Sequence, residues 1–278
     1  VAVINDINAP QRVIVHIGAQ KTGSTSLHHF LSRNQDALAA RLDIRVPVKG
    51  SITRELGRTC ALYSLKPETH EDDLKDLICT VRDDLTSDDR VCIISHENIC
   101  GAMMGRAGVT DLYPALPKII ALFEQNLAPY SPEYVFYTRE MQSWKSSVYN
   151  QAVKSDSYAG TREEFLEQTR ASKRWTELQH DLEARLGKDR VRFFALEDEQ
   201  TPDRPGRQLL RFAGLTDADI DTLQPVAGRS NQSLNDGSLE FMRQLNALGL
   251  ARPARRQVAE LVKNNQTLFA AEETARKL

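Results

Sequence analysis

The feature that most constrains this chain is a change of residue pattern close to its start. Val13-Ile14-Val15-His16-Ile17 is a β-branched apolar run between Pro10 and Gly18, and it reads as a buried strand. Gly18-Ala19-Gln20-Lys21-Thr22-Gly23-Ser24-Thr25-Ser26 follows, a loop rich in glycine, serine and threonine. Leu27, Phe30 and Leu31 then recur at i, i+3, i+4 spacing, which predicts a helix with Asn34 as its stop. The unit is strand, tight loop, helix. Backbone N–H groups at such a helix start are unpaired and sit at the positive end of the helix dipole, so they suit an anion. Gly23 lets the chain approach a phosphate closely, Thr22, Ser24, Thr25 and Ser26 bring hydroxyls, and Lys21 brings a full positive charge. The arrangement is P-loop-like without being a Walker A loop, which puts its lysine after the second glycine, whereas Lys21 precedes Gly23. A helix cap merely rich in serine and threonine is the competing explanation.

Further strands are expected at Val91–Ser95, Tyr134–Thr138 and Val191–Leu196. Helices are expected over Thr69–Leu85, Leu116–Leu127, from about Ser143, over Arg162–Leu186 as one long segment, and over Leu209–Ala213 with Gly214 as its cap. C-terminal helices follow from about residue 235, at Ser238–Leu248 and Arg255–Lys277. Alternation of strands and helices predicts an α/β fold: a doubly wound, mostly parallel sheet with helices on both faces, as one domain over 1–278. Pro47–Pro67 is the least periodic stretch and reads as a surface insertion near the site.

Composition narrows the function. Of 278 residues, 41% are hydrophobic and 27% charged, the profile of a soluble globular protein. A formal net charge of −2 argues against bulk nucleic-acid binding, so any anion site is local. No apolar run approaches the roughly 20 residues of a membrane span, and Val1–Arg12 lacks the pattern of a signal peptide. Cys60, Cys79, Cys92 and Cys100 form no CxxC pair, and no histidine cluster has metal-ligand spacing. Reduced structural thiols in a cytoplasmic protein are therefore expected, with no metal site. Among the histidines, only His96 stands at a telling place, where the second strand ends.

Gln20-Lys21-Thr22-Gly23-Ser24-Thr25-Ser26-Leu27 resembles the 5′-phosphosulfate loop of the sulfotransferase family, Pro-Lys-[Ser/Thr]-Gly-[Ser/Thr]-Thr-x-Leu. Gln20 stands where many members have proline, and Ser26 where cytosolic members carry a tryptophan that packs on adenine. Both departures are more like the bacterial and carbohydrate-modifying branches. A second family motif, Arg-Asp-Pro-x-x-Arg-x-x-Ser-x-Tyr, is matched in part after the strand Tyr134–Thr138. Arg139, Ser147 and Tyr149 agree, while Glu140, Met141 and Trp144 replace the other defined residues. The resemblance implies a donor, PAPS (3′-phosphoadenosine-5′-phosphosulfate, leaving as PAP). Its 3′-phosphate would lie on Arg139 and Ser147. Independently, Arg139 is expected at the carboxyl end of a strand, where doubly wound sheets bind ligands.

Ser95-His96-Glu97-Asn98 follows the second strand, and the family carries its general base there. His96 and Glu97 both qualify chemically. Neighbouring strand residues face opposite ways, so only one is expected to reach the site. A Ser-x-Glu pattern in several bacterial members favours Glu97. Gly228-Arg229-Ser230-Asn231-Gln232-Ser233-Leu234 resembles an Asn-x-Ser segment of bacterial members, with Arg229 as a further cation for the 3′-phosphate or, equally, a helix cap. Leu196-Glu197-Asp198 resembles a structural stretch of the family. The implied reaction is sulfuryl transfer to a hydroxyl or amine acceptor, a glycan or other hydroxylated metabolite by analogy, with Lys21 stabilising the leaving oxygen. An ATP-dependent P-loop-like kinase and a non-catalytic nucleotide-binding module are the alternatives.

Overall fold

The computed structural model describes residues 11–86, 88–226 and 233–270. In chain order the elements are β1 (Val13–Gly18), α1 (Ser24–Arg33), α2 (Gln35–Leu38), β2 (Leu42–Arg45), α3 (Ile52–Tyr63), α4 (Pro67–Asp83), β3 (Val91–Ser95), a 3-10 helix (Glu97–Cys100), α5 (Leu116–Asn126), β4 (Glu133–Thr138), α6 (Met141–Ser155), α7 (Arg162–Gln168), α8 (Trp175–Leu186), β5 (Val191–Ala195), α9 (Arg207–Phe212), α10 (Asp217–Asp221), α11 (Asp236–Ala247) and α12 (Arg252–Asn264). The fold is α/β. Among the described residues five strands lie in the order β2-β3-β1-β4-β5, and every pairing is parallel.

Central β1 is buried along its whole length, as a strand covered on both faces must be. Ile14 joins one apolar cluster with Leu27, Phe30 and Leu31 of α1 and Leu209 and Leu210 of α9. Val13, Val15 and Ile17 point the other way by alternation and are equally buried. Helices thus flank the sheet on both faces.

The described residues fall into two compact units. One holds the sheet and draws on residues up to 102, 113–140 and 175–226. The other draws on 103–112, 141–174 and 233–270, and contains α6, α7, α11 and α12. Within the second unit Tyr149, Tyr158 and Phe165 pack as an aromatic triangle with centroids 5.6–6.1 Å apart. Arg255 donates to the carbonyls of Val153 and Lys154, satisfying the C-terminal end of α6, where a cation also suits the dipole.

Two expectations need correction. Pro47–Pro67 is not a surface insertion: α3 occupies most of it and buries Leu56, Gly57, Cys60 and Tyr63. The overlooked signal was Ser51, whose side chain accepts from the Arg54 amide as an N-cap. Arg162–Leu186 is two helices, not one. Thr161 and Glu164 form a capping box that starts α7, and Thr169 ends it by bonding back to the Phe165 carbonyl. The parallel sheet is as expected, but it gains a strand that the sequence reading lacked, β2, whose four residues are too short a run to read as a strand.

Candidate active site at the carboxyl edge of the sheet

The loop after β1 is held from both sides. The Ala19 amide donates to the Tyr137 carbonyl of β4 at 2.9 Å, and the Thr22 hydroxyl donates to the Ala19 carbonyl. Lys21 adopts a left-handed φ of 67°, unusual for a residue with a side chain. Gly23 follows at φ 87° as the N-cap of α1. Having no side chain, it leaves the first-turn amides without a side-chain cap, so the serine- and threonine-rich segment does not serve as an ordinary cap. Ser24 is buried and Thr25 and Ser26 are half-buried at the start of the helix.

Gln20 ties this loop to the segment beyond β3. Its Nε2 donates to the Gly101 carbonyl at 2.9 Å and to Asn98 Oδ1 at 3.2 Å. Its Oε1 accepts from the Tyr113 hydroxyl at 2.6 Å and from the Cys100 thiol at 3.2 Å. Gln20 is thus a four-way buried tie.

Strand β3 ends at Ser95, and a 3-10 turn begins at Glu97. Strand alternation therefore stops short of His96 and Glu97, and the expectation that they face opposite ways is corrected: His96 Nδ1 lies 3.6 Å from Glu97 Oε2. The Asn98 amide donates to His96 Nδ1 at 3.1 Å, so that nitrogen carries a lone pair. Burial, aided by the nearby Arg54 charge, lowers the His96 pKa to about 4 and keeps the ring neutral. The ring lies against Gly57 of α3, where any Cβ would come within 2.2 Å of it.

Glu97 is the electrostatic centre of the site. Burial pushes its carboxyl up. Its own backbone amide, the Ser24 hydroxyl and the Lys21 charge pull the other way. Glu97 Oε2 is covered and has no hydrogen-bond partner; His28 Nδ1 stands 3.7 Å from it. Sequence reasoning missed His28, His16 and Ser95, which form a buried polar group beneath Glu97. One signal was available: His16 interrupts an otherwise apolar buried strand.

Arg139 directly follows β4 and is half-buried; its carbonyl accepts from Trp175 Nε1 at 2.8 Å. The next amide, that of Glu140, donates to Glu197 at 2.9 Å, which gives the Leu196-Glu197-Asp198 stretch its structural part. Strands β1 and β4 are paired neighbours, yet the chain leaves β1 for β2 on one side and β4 for β5 on the other. Ligand crevices of open α/β sheets occur where connections diverge in this way. Ser147 lies in the second turn of α6, in the second unit. Arg229 lies outside the described residues.

No cysteine is bridged, and no helix among the described residues is long and apolar enough to cross a membrane. Among the described residues no group of three or more His, Cys, Asp or Glu is placed to hold a metal ion. No family model matches the chain, and no curated protein matches it. Among solved structures it is similar to a sulfotransferase from Alicyclobacillus acidocaldarius, with 15% identity, a TM-score of 0.47, and coverage of 90% of this chain and 100% of that one.

Proposed function

We propose that the protein is a PAPS-dependent sulfotransferase that sulfates a hydroxyl or amine acceptor, a glycan or other hydroxylated metabolite being the acceptor class its motifs favour. One observation carries the reading: the Ser24 hydroxyl and the Lys21 charge of the anion loop act on the buried Glu97 carboxyl and favour its ionised form against the effect of burial. In-line transfer needs a base for the acceptor proton and a cation for the leaving oxygen close together, and this pair supplies both.

The donor, when bound, brings an activated sulfuryl group attached through a phosphate oxygen. The first-turn amides of α1, with Thr22, Gly23, Ser24, Thr25 and Ser26, form the anion cradle for its 5′ end. Lys21 holds positive charge toward the leaving oxygen. Arg139 is assigned the 3′-phosphate; a guanidinium suits it because it can bond two oxygens at once. Glu97 takes the acceptor proton, and burial that raises its pKa brings it nearer the range where a base works well at neutral pH. His96 is the weaker candidate, since its Nδ1 already accepts the Asn98 amide and its ring is packed on Gly57.

Thermal unfolding with PAP, ADP and 5′-AMP tests the donor, because a ligand of the native state raises the melting temperature. PAP should stabilise most. Transfer of label from sulfur-labelled PAPS to a panel of sugars, phenols and amines then tests the reaction. Equal stabilisation by ADP and PAP, with no label transferred, would overturn the proposal.

A further inference from the structure

On the α1 side of the sheet the apolar core gives way to polar groups at the carboxyl edge. Ile14 and Ile93 belong to the same cluster as Leu27 and Phe30. Two residues further along each strand, His16 and Ser95 face the same way and stand side by side in the β1–β3 register. Ser95 Oγ lies 2.7 Å from His16 Nδ1 and 2.9 Å from His28 Nε2.

A hydroxyl has one proton and two lone pairs, and among the described residues the two rings are the only side-chain partners of the buried Ser95 Oγ; its proton is therefore satisfied only if Ser95 donates to one ring and accepts from the other. If His28 donated to Ser95, then Ser95 would donate to His16 Nδ1, and His16 would carry its own proton on Nε2. That nitrogen is buried without a hydrogen-bond partner. The Tyr137 ring, packed at right angles to the His16 ring with centroids 5.5 Å apart, offers no lone pair. Buried N–H groups without acceptors are rarer than under-used acceptors. The string therefore runs the other way: His16 Nδ1–H to Ser95, and Ser95 O–H to His28 Nε2. This leaves the His28 proton on Nδ1, facing Glu97 Oε2 at 3.7 Å.

We propose that His28 is a positioning residue: with its tautomer fixed by Ser95 and His16, it turns an N–H dipole toward Glu97 and favours the ionised, proton-accepting carboxylate. The catalytic consequence rests on Glu97 being the base; the tautomer does not. His96, the other ring beside Oε2, presents a lone pair there and cannot do the same. Burial keeps His16 and His28 neutral, lowering their pKa values to about 3 and about 2. Lys21 from the loop, Ser24 and His28 from α1, His96, and Cys100 and Tyr113 behind them are the polar and titratable groups around Glu97. Arg54 of α3 acts on His96, and His29 lies beside His28. Cys100 and Tyr113 stay neutral because burial raises both well above their usual ranges.

Nitrogen-15 NMR of ring-labelled protein reads the tautomers directly. His28 should be protonated on Nδ1, and His96 on Nε2. A wild-type His28 protonated on Nε2 overturns the proposal, whether or not any variant folds. Carbon-13 NMR then follows the Glu97 carboxylate without substrate. In Ser95→Ala its midpoint should rise by about one pH unit, and the acid limb of kcat/KM should move with it, about tenfold lower activity at a fixed pH on that limb. His28→Asn, which keeps a donor near the Nδ1 position, should hold the midpoint near the wild-type value, while in His28→Gln it should rise as in Ser95→Ala. An unmoved Glu97 midpoint in folded Ser95→Ala would also overturn it. Wild-type protein with the expected tautomers but no sulfuryl transfer would count against the sulfotransferase reading alone.

Discussion

The Tyr113 hydroxyl donates to Gln20 Oε1 at 2.6 Å, joining the segment that leads into α5 to the anion loop. Through the same side chain the loop is bonded to Asn98 and Gly101, just beyond Glu97. The segment carrying Glu97 and the loop after β1 are thus parts of one hydrogen-bonded assembly. Gln20→Pro would remove every one of these side-chain bonds. Buried Tyr113 and the Gly101 carbonyl would lose partners, so a loss of about 2 kcal/mol in urea unfolding is expected. The rate constant kcat should fall more than donor affinity, because Glu97 loses its fixed place while the α1 amides remain. A variant as stable and active as wild type would remove Gln20 from the assembly.

Gly57 illustrates a different constraint. Its absent side chain is what lets the His96 ring lie on α3. In Gly57→Ala the new Cβ would stand 2.2 Å from the ring, so either the ring or the helix must shift. Alanine would otherwise favour the helix. Overpacking should win, giving a net destabilisation of about 1–3 kcal/mol measured by urea midpoint. A more stable Gly57→Ala protein would mean that the ring moves without cost.

The parts of this architecture that could be read from sequence are those specified locally. Val13–Ile17 and the loop into α1 announce themselves by a change of period, and Gly214 by its place after an apolar run. Four of the five strands were legible for the same reason. Strand β2 was not, since Leu42-Asp43-Ile44-Arg45 offers only two apolar positions and gains its identity from pairing with β3. Within the site, Lys21, Glu97 and Arg139 stand at strand exits, where pattern and chemistry coincide. His16, Ser95 and His28 are far apart in sequence and meet only through the β1–β3 register and the packing of α1. Gln20 read as a mere departure from a motif, because its partners at 98, 100, 101 and 113 are distant in the chain.

Removing Arg139 should separate two nucleotides that differ by one phosphate. Charge-assisted guanidinium–phosphate bonds contribute roughly 1.5–3 kcal/mol each. Arg139→Ala should therefore weaken PAP at least about tenfold while leaving 5′-AMP nearly unchanged, as read by calorimetric titration. Equal losses for both ligands would take the 3′-phosphate away from this residue.

Lys21→Ala should act on the rate instead. A charge directed at the leaving oxygen is worth more as that oxygen gains charge, so a fall in kcat of about 100- to 1,000-fold is expected, with a much smaller change in PAP affinity. Single-turnover kinetics against direct PAP binding separate the two. A binding defect with an unchanged chemical step would assign Lys21 to the ground state only.

Acid should unfold this protein early, and the buried histidines give the reason. His16, His28 and His96 have folded pKa values of about 3, 2 and 4, against an ordinary value of 6.5. Between those limits the unfolded chain binds three protons that the folded chain refuses, so stability rises with pH through this window and falls on acidification. The expected slope is about 4 kcal/mol per pH unit once all three are protonated in the unfolded state. Glu97 works against it: its folded pKa is raised, so it contributes stability at low pH that is lost as pH rises through its folded value. One carboxyl opposes three imidazoles, and the net direction is set by the histidines. Urea midpoints measured from pH 7 down to pH 4.5 should fall steeply below pH 6.5. His28→Asn should reduce the histidine part of that slope by about a third. A flat profile over the same range would mean that the three rings take up protons in the folded protein as readily as in the unfolded chain.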